Sequence, residues 1–93
     1  MEVLVEKINN NEFKVSVKSK QETIHFVSLS DDYFNQMTGS NRTKIDLIYY
    51  SFIFLLKREP NTSILGSFEL NVIETYFPDY KISVKKWIDD EEN

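Results

Sequence analysis

Residues 43–56 read TKIDLIYYSFIFLL, and the fold turns on how this segment is covered. Thr43 stands where a helix N-cap is needed, and Asp46 occupies the acidic position of a capping box three residues on. Ile45, Ile48, Phe52, Leu55 and Leu56 recur at helical spacing, with Tyr49 and Phe54 widening the apolar arc, and Pro60 ends the helix. Leu47, Tyr50 and Ile53 lie off the main stripe, so the helix is apolar almost all round. Such a helix must be covered on every side. A chain of 93 residues has little material for that. The expectation is therefore a homodimer in which the face carrying Leu47, Tyr50 and Phe54 is shared with a second copy or another protein partner.

Upstream, the first 29 residues alternate. Val3 and Val5 share one face; Phe13, Val15 and Val17 face one way, with Lys14, Ser16 and Lys18 opposite. Asn9-Asn10-Asn11 separates the two runs as a hairpin turn. After the polar turn Ser19–Glu22, residues 23–29 form a third strand with Ile24 and Phe26 on one face and His25 and Val27 on the other. Ser30 then caps a short helix whose first turn carries Asp31 and Asp32, and Gly39 stops it.

Downstream of Pro60, Asn61-Thr62-Ser63 reads as a turn, Gly66 as a position for positive φ, and residues 71–77 as one short helix. Tyr80, Ile82 and Val84 alternate as in a strand, yet Val84, Trp87 and Ile88 keep helical spacing; helix is preferred. The resulting fold class is α+β, an N-terminal three-stranded antiparallel meander packed against three to four helices. Residues 1–88 form a single domain, and residues 89–93 an acidic tail.

Composition narrows the function. The chain has no cysteine, which removes disulfides, thiolate nucleophiles and cysteine-based zinc sites. Residues 1–7 place charges where a signal peptide needs apolar residues, and residues 45–56 are too short to span a bilayer, so a cytoplasmic chain without a membrane anchor is expected. The net charge of −4 arises wholly after Pro60, mainly in Asp89-Asp90-Glu91-Glu92. The rest is neutral and gives no support for nucleic acid. His25 is the single histidine, no Gly-x-Ser-x-Gly elbow or glycine-rich phosphate loop occurs, and Asp31-Asp32 is ordinary capping chemistry. No catalytic residue, cofactor or metal site is expected, and the chain reads as a non-enzymatic interaction or regulatory module. Arg58, beside the negative end of the long helix, is expected to be structural, within reach of Glu69, Glu74 or Asp79.

Two resemblances bear on this. The segments SFIFLLKREPNTSIL (residues 51–65), SFEL (67–70) and VIETYFPDY (72–80) resemble a small bacterial and archaeal family of uncharacterised proteins, over roughly residues 23–80. Asn71 stands where that pattern has proline at the helix start. The resemblance brings no activity with it; it implies that Arg58-Glu59-Pro60 and Tyr76-Phe77-Pro78-Asp79-Tyr80 form a defined unit. The order TIHFVSLS, DDYFNQMTG, SNRTKIDLIYYSFIFLLKRE (residues 23–59) resembles the strand-helix-helix order of ribbon-helix-helix regulators. As the alternative, this implies a DNA-binding transcriptional regulator or antitoxin. Thr23, His25 and Val27 would then face bases, and Ser40, Asn41, Arg42 and Thr43 would lie at phosphate. The hairpin signal favours pairing of residues 23–29 with residues 13–17 of the same chain, so DNA binding is not expected.

Overall fold

A computed structural model describes residues 1–39 and 42–92, with the backbone alone for Glu91 and Glu92. Strands β1 (Glu2–Lys7), β2 (Glu12–Lys18) and β3 (Thr23–Ser28) form the expected meander. Asn9 builds the first turn: its Oδ1 accepts the backbone N–H groups of Asn11 and Glu12, each at 2.9 Å, the asparagine-centred bond that makes such sequences turn. Helices α1 (Asp31–Thr38) and α2 (Lys44–Leu56) follow, then strand β4 (Ser67–Glu69), helix α3 (Ile73–Tyr76) and helix α4 (Tyr80–Glu92). Single 3₁₀ turns at Asn61–Ser63 and Leu70–Val72 flank β4. The architecture is α+β.

The caps are the expected ones. Ser30 Oγ accepts the Tyr33 N–H at 3.1 Å, and Gly39, at φ 62°, closes α1 in the left-handed region. Thr43 and Asp46 exchange the two capping-box bonds, at 3.1 and 3.4 Å. Lys44 ties the start of α2 to the first hairpin through the Asn10 carbonyl at 2.7 Å, and to α1 through Asp31 at 2.6 Å.

One strand differs from expectation. β4 joins the meander in the order β1-β2-β3-β4 and runs parallel to β3, with Val27 opposite Phe68. Gly66 is not the left-handed corner that its sequence context favours. Its carbonyl accepts the Phe26 N–H at 2.9 Å and starts the parallel ladder. The segment 71–77 is also shorter than one helix, split between the second 3₁₀ turn and α3.

The register sorts the faces. Phe13, Val15, Val17, His25 and Val27 are buried under the helices, while Leu4, Ile24 and Phe26 sit among charged residues on the open face. Period-two alternation produces this division. α4 resolves the 80–88 ambiguity as helix: Tyr80, Val84 and Ile88 are buried on one face, and Ile82, which the strand reading would have aligned with them, is 73 % exposed. The helix continues through Asp89–Glu92 rather than stopping before an acidic tail.

α2 is covered more fully by its own chain than its sequence implied. Leu47 and Phe54 are buried. Phe54 meets the Phe77 and Tyr80 rings edge-on at 5.9 and 5.3 Å. Tyr50 stacks on Trp87 at 4.6 Å, donates to the Ser83 carbonyl at 3.1 Å and meets Ser83 Oγ. Tyr50 and Phe54 make the contact with α4 and the end of α3, and Leu47 is buried with them, so the face assigned to a second copy is spent inside one chain. The buried hydroxyls are ordered by donor logic. Ser51 donates to the Leu47 carbonyl at 2.7 Å, which leaves its oxygen to accept the Tyr80 O–H at 2.5 Å.

Burial pushes the Tyr80 phenol well above the ordinary tyrosine range; burial, and a 2.7 Å bond donated to Glu74, do the same for Tyr33. A proton held more tightly in the folded than in the unfolded chain stabilises the fold below the unfolded pKa, and that stability is lost as pH rises beyond it. Unfolding free energy is therefore expected to fall above about pH 10, by up to about 1.4 kcal/mol per pH unit for each tyrosine. Denaturant titrations across that range should show a shallower fall for Tyr80→Phe; an unchanged slope would contradict the assignment.

Candidate functional site

The segment from the end of α2 to α3 is both core and cavity. Past Leu56 the chain turns at Pro60, and Asn61 anchors it: its Nδ2 donates to the Gln21 carbonyl at 2.8 Å and to Thr23 Oγ1 at 2.9 Å. His25 completes this anchor. A carbonyl only accepts, so His25 Nδ1 carries the proton donated to Leu65 O at 2.7 Å. In the neutral ring Nε2 then accepts from Thr23 Oγ1 at 2.8 Å. The buried histidine thus fixes where residues 61–66 leave α2 and where β4 can begin.

The anchored loop closes a groove of about 220 Å³. Leu55, Ile64 and Ile73 are its buried members, Phe68, Val72 and Phe77 its half-buried walls, and Leu65 and Tyr76, 49 % and 66 % exposed, its rim. Its polar side chains are Ser63, Glu59 and the Tyr76 phenol. Glu59 is half-buried, and its carboxylate has no ion-pair or hydrogen-bond partner among the described residues. A carboxylate without a partner beside apolar walls leaves its acceptor oxygens to a cation brought to it. The volume is below that of a typical drug-sized pocket and suits a side chain.

Arg58 braces one wall. Its guanidinium lies 3.5 Å from the Phe54 ring centroid, donates to the Phe54 carbonyl at 3.0 Å and pairs with Asp79 at 2.8 Å. Of the three carboxylates within reach in the sequence, Asp79 is the partner. Phe54 in turn packs on Phe77, and Arg58 reaches past it to Asp79.

The residues assigned to DNA in the ribbon reading have other surroundings. His25 and Val27 are buried on the helix-covered face, with Thr23 half-buried beside them. β3 pairs with β2 along one side and, at Phe26–Ser28, with β4 along the other. Arg42 donates to the Ile88 carbonyl at 3.3 Å and lies over the Trp87 ring, and Thr43 is the α2 cap. Ser40 and Asn41 lie outside the described residues. The groove itself was not read from the sequence, where Leu65 and Tyr76 look like any other apolar residues and Glu59 lies in the polar run Lys57–Ser63 that any loop could carry.

No group of three or more His, Cys, Asp or Glu side chains able to hold a metal occurs among the described residues, and no helix there is long and apolar enough to cross a membrane. No family model, curated protein or solved structure matches the chain.

Arg58→Ala removes a cation–π contact, a backbone bond and an ion pair on a partly exposed side chain, and is expected to cost about 1–2 kcal/mol. For a domain of this size that lowers Tm by roughly 5–15 °C. Calorimetry checks it: an unchanged Tm would show that the brace contributes nothing.

Proposed function

We propose that this chain is a non-enzymatic interaction module, and that the groove takes one apolar side chain of a protein segment together with an adjacent lysine or arginine. The observation that carries the reading is the unpaired carboxylate of Glu59 at an apolar groove of side-chain size. An aliphatic or aromatic anchor gains by leaving water for the walls. A neighbouring cation gains a charge-assisted bond to Glu59. The non-enzymatic part is supported by the use of both His25 ring nitrogens in holding the loop, away from the groove surface.

Selection from a random peptide library on the immobilised full chain tests this. The expected winners pair an apolar residue with Lys or Arg, and their amide-shift footprint should centre on Leu65, Phe68 and Tyr76. Glu59→Lys should weaken them at least about tenfold, the loss of a charged bond of about 1.4 kcal/mol or more. Winners without a basic residue, or indifferent to Glu59→Lys, would refute the reading.

A further inference from the structure

We infer that a second copy of this chain pairs with the first through the outer edge of β1 and the overhanging flank of α2. β1 is an edge strand of six regular residues, with β2 on its inner side alone among the described strands. Its hydrogen-bond phase follows from the turn. Ile8 N–H donates inward to the Glu12 carbonyl at 2.9 Å, and antiparallel strands alternate, so even-numbered residues of β1 bond to β2. The N–H and C=O groups of Val3, Val5 and Lys7 therefore point outward, an open template for another strand.

Above this edge lies a second unfilled surface. α2 packs most closely on β1, while α3 and α4 occupy the flank of α2 that carries Tyr50 and Phe54. The remaining circumference presents Ile45, Tyr49, Ile53 and Leu56, at successive spacings of four, four and three, with Tyr49 and Ile53 also lining a concavity beside Tyr50 and Trp87. Ile45 is 40 % and Tyr49 48 % exposed, and Val3 and Val5 beneath are only partly buried. Strand edge and helix flank thus form one strip, each part about 20 Å long from its residue count.

A second copy fits both levels at once. A two-fold axis perpendicular to the sheet sets β1 antiparallel to its mate and brings the two α2 flanks together, an isologous contact. Facing side chains must share a face, so opposed residue numbers sum to an even value. A sum of eight places Glu2 against Glu6 of the mate twice, and a sum of twelve places Glu6 against Glu6. A sum of ten opposes no like charges: Val5 meets Val5, Val3 meets Lys7, and Leu4 meets Glu6, which keeps Lys14 beside it on β2. That register yields a continuous eight-stranded sheet.

Sedimentation equilibrium on the full chain, with amide hydrogen exchange at several concentrations, tests the inference. The expected mass at high concentration is twice the 11.0 kDa of one chain, falling towards one on dilution. Exchange at Val3, Val5 and Lys7 should slow as concentration rises, while Leu4 and Glu6, bonded to β2, should show no such dependence. Val5→Pro deletes an outward N–H that the single chain does not use, and Tyr49→Lys charges the exposed flank. Each should leave the circular dichroism native and the chain monomeric. A single-chain mass at every concentration overturns the inference, as does a dimer that survives either substitution in a folded chain. If Val5→Pro disturbs folding, Tyr49→Lys and the exchange pattern decide alone.

Discussion

The structure depends on covering α2. Thirteen residues carry so little polar surface that water is a poor neighbour on most of the circumference, and every other element is placed by that need. The sheet takes the arc holding Ile48, Phe52 and Leu55, while α3 and α4 take the flank with Tyr50 and Phe54. Burying Leu47, Ile48, Phe52 and Leu55 supplies about 1.5–3 kcal/mol each, an upper estimate because unfolded chains already bury part of their apolar surface. Ser51 is the polar intrusion in that buried arc. It is tolerated because its hydroxyl bonds the preceding turn and accepts Tyr80, so the same residue that interrupts the apolar surface fixes where α4 begins.

A second polar cluster has the corresponding role on the sheet. His25, Thr23 and Asn61 are mutually satisfied, and through Leu65 and Gln21 they hold both ends of the connection between α2 and β4. Buried polar groups are costly unless paired, and the pairings available here fit one path of the chain. β4 has three residues and no apolar pattern long enough to specify register by itself. Its place parallel to β3 follows from the anchor, which sets Gly66 O opposite Phe26 N–H.

These dependencies explain what could be read from the sequence. The meander, the caps at Ser30 and Thr43, and the Gly39 stop rest on local chemistry, so a few adjacent residues suffice. Which arc of α2 stays open depends on where Tyr80, Val84 and Trp87 arrive from a later part of the chain. The apolar pattern of α2 signalled more circumference than one small domain covers, and the chain's own elements bury most of it. The pattern could not distinguish Tyr50 and Phe54, which meet α4 and the end of α3, from Ile45 and Tyr49, which stay exposed. β4 and the groove failed to register for a related reason. Three residues carry no periodicity, and a concavity is made by the relative placement of Leu55, Phe68 and Tyr76, not by any one of their neighbourhoods.

The two surfaces are independent in geometry although one helix contributes to both. Leu55 enters the groove and Leu56 belongs to the open flank, and successive helix residues project about 100° apart. Pairing through β1 and the Ile45–Leu56 flank therefore leaves the groove uncovered in each copy, with the two grooves related by the dimer axis. A single apolar side chain and one ion pair support only weak binding. Two such sites on one rigid sheet change that, because the second contact forms at the effective concentration set by the chain joining two segments of a partner. Dimerisation on this reading is what makes a side-chain-sized groove useful: the monomer offers a weak contact, and the pair offers a spacing.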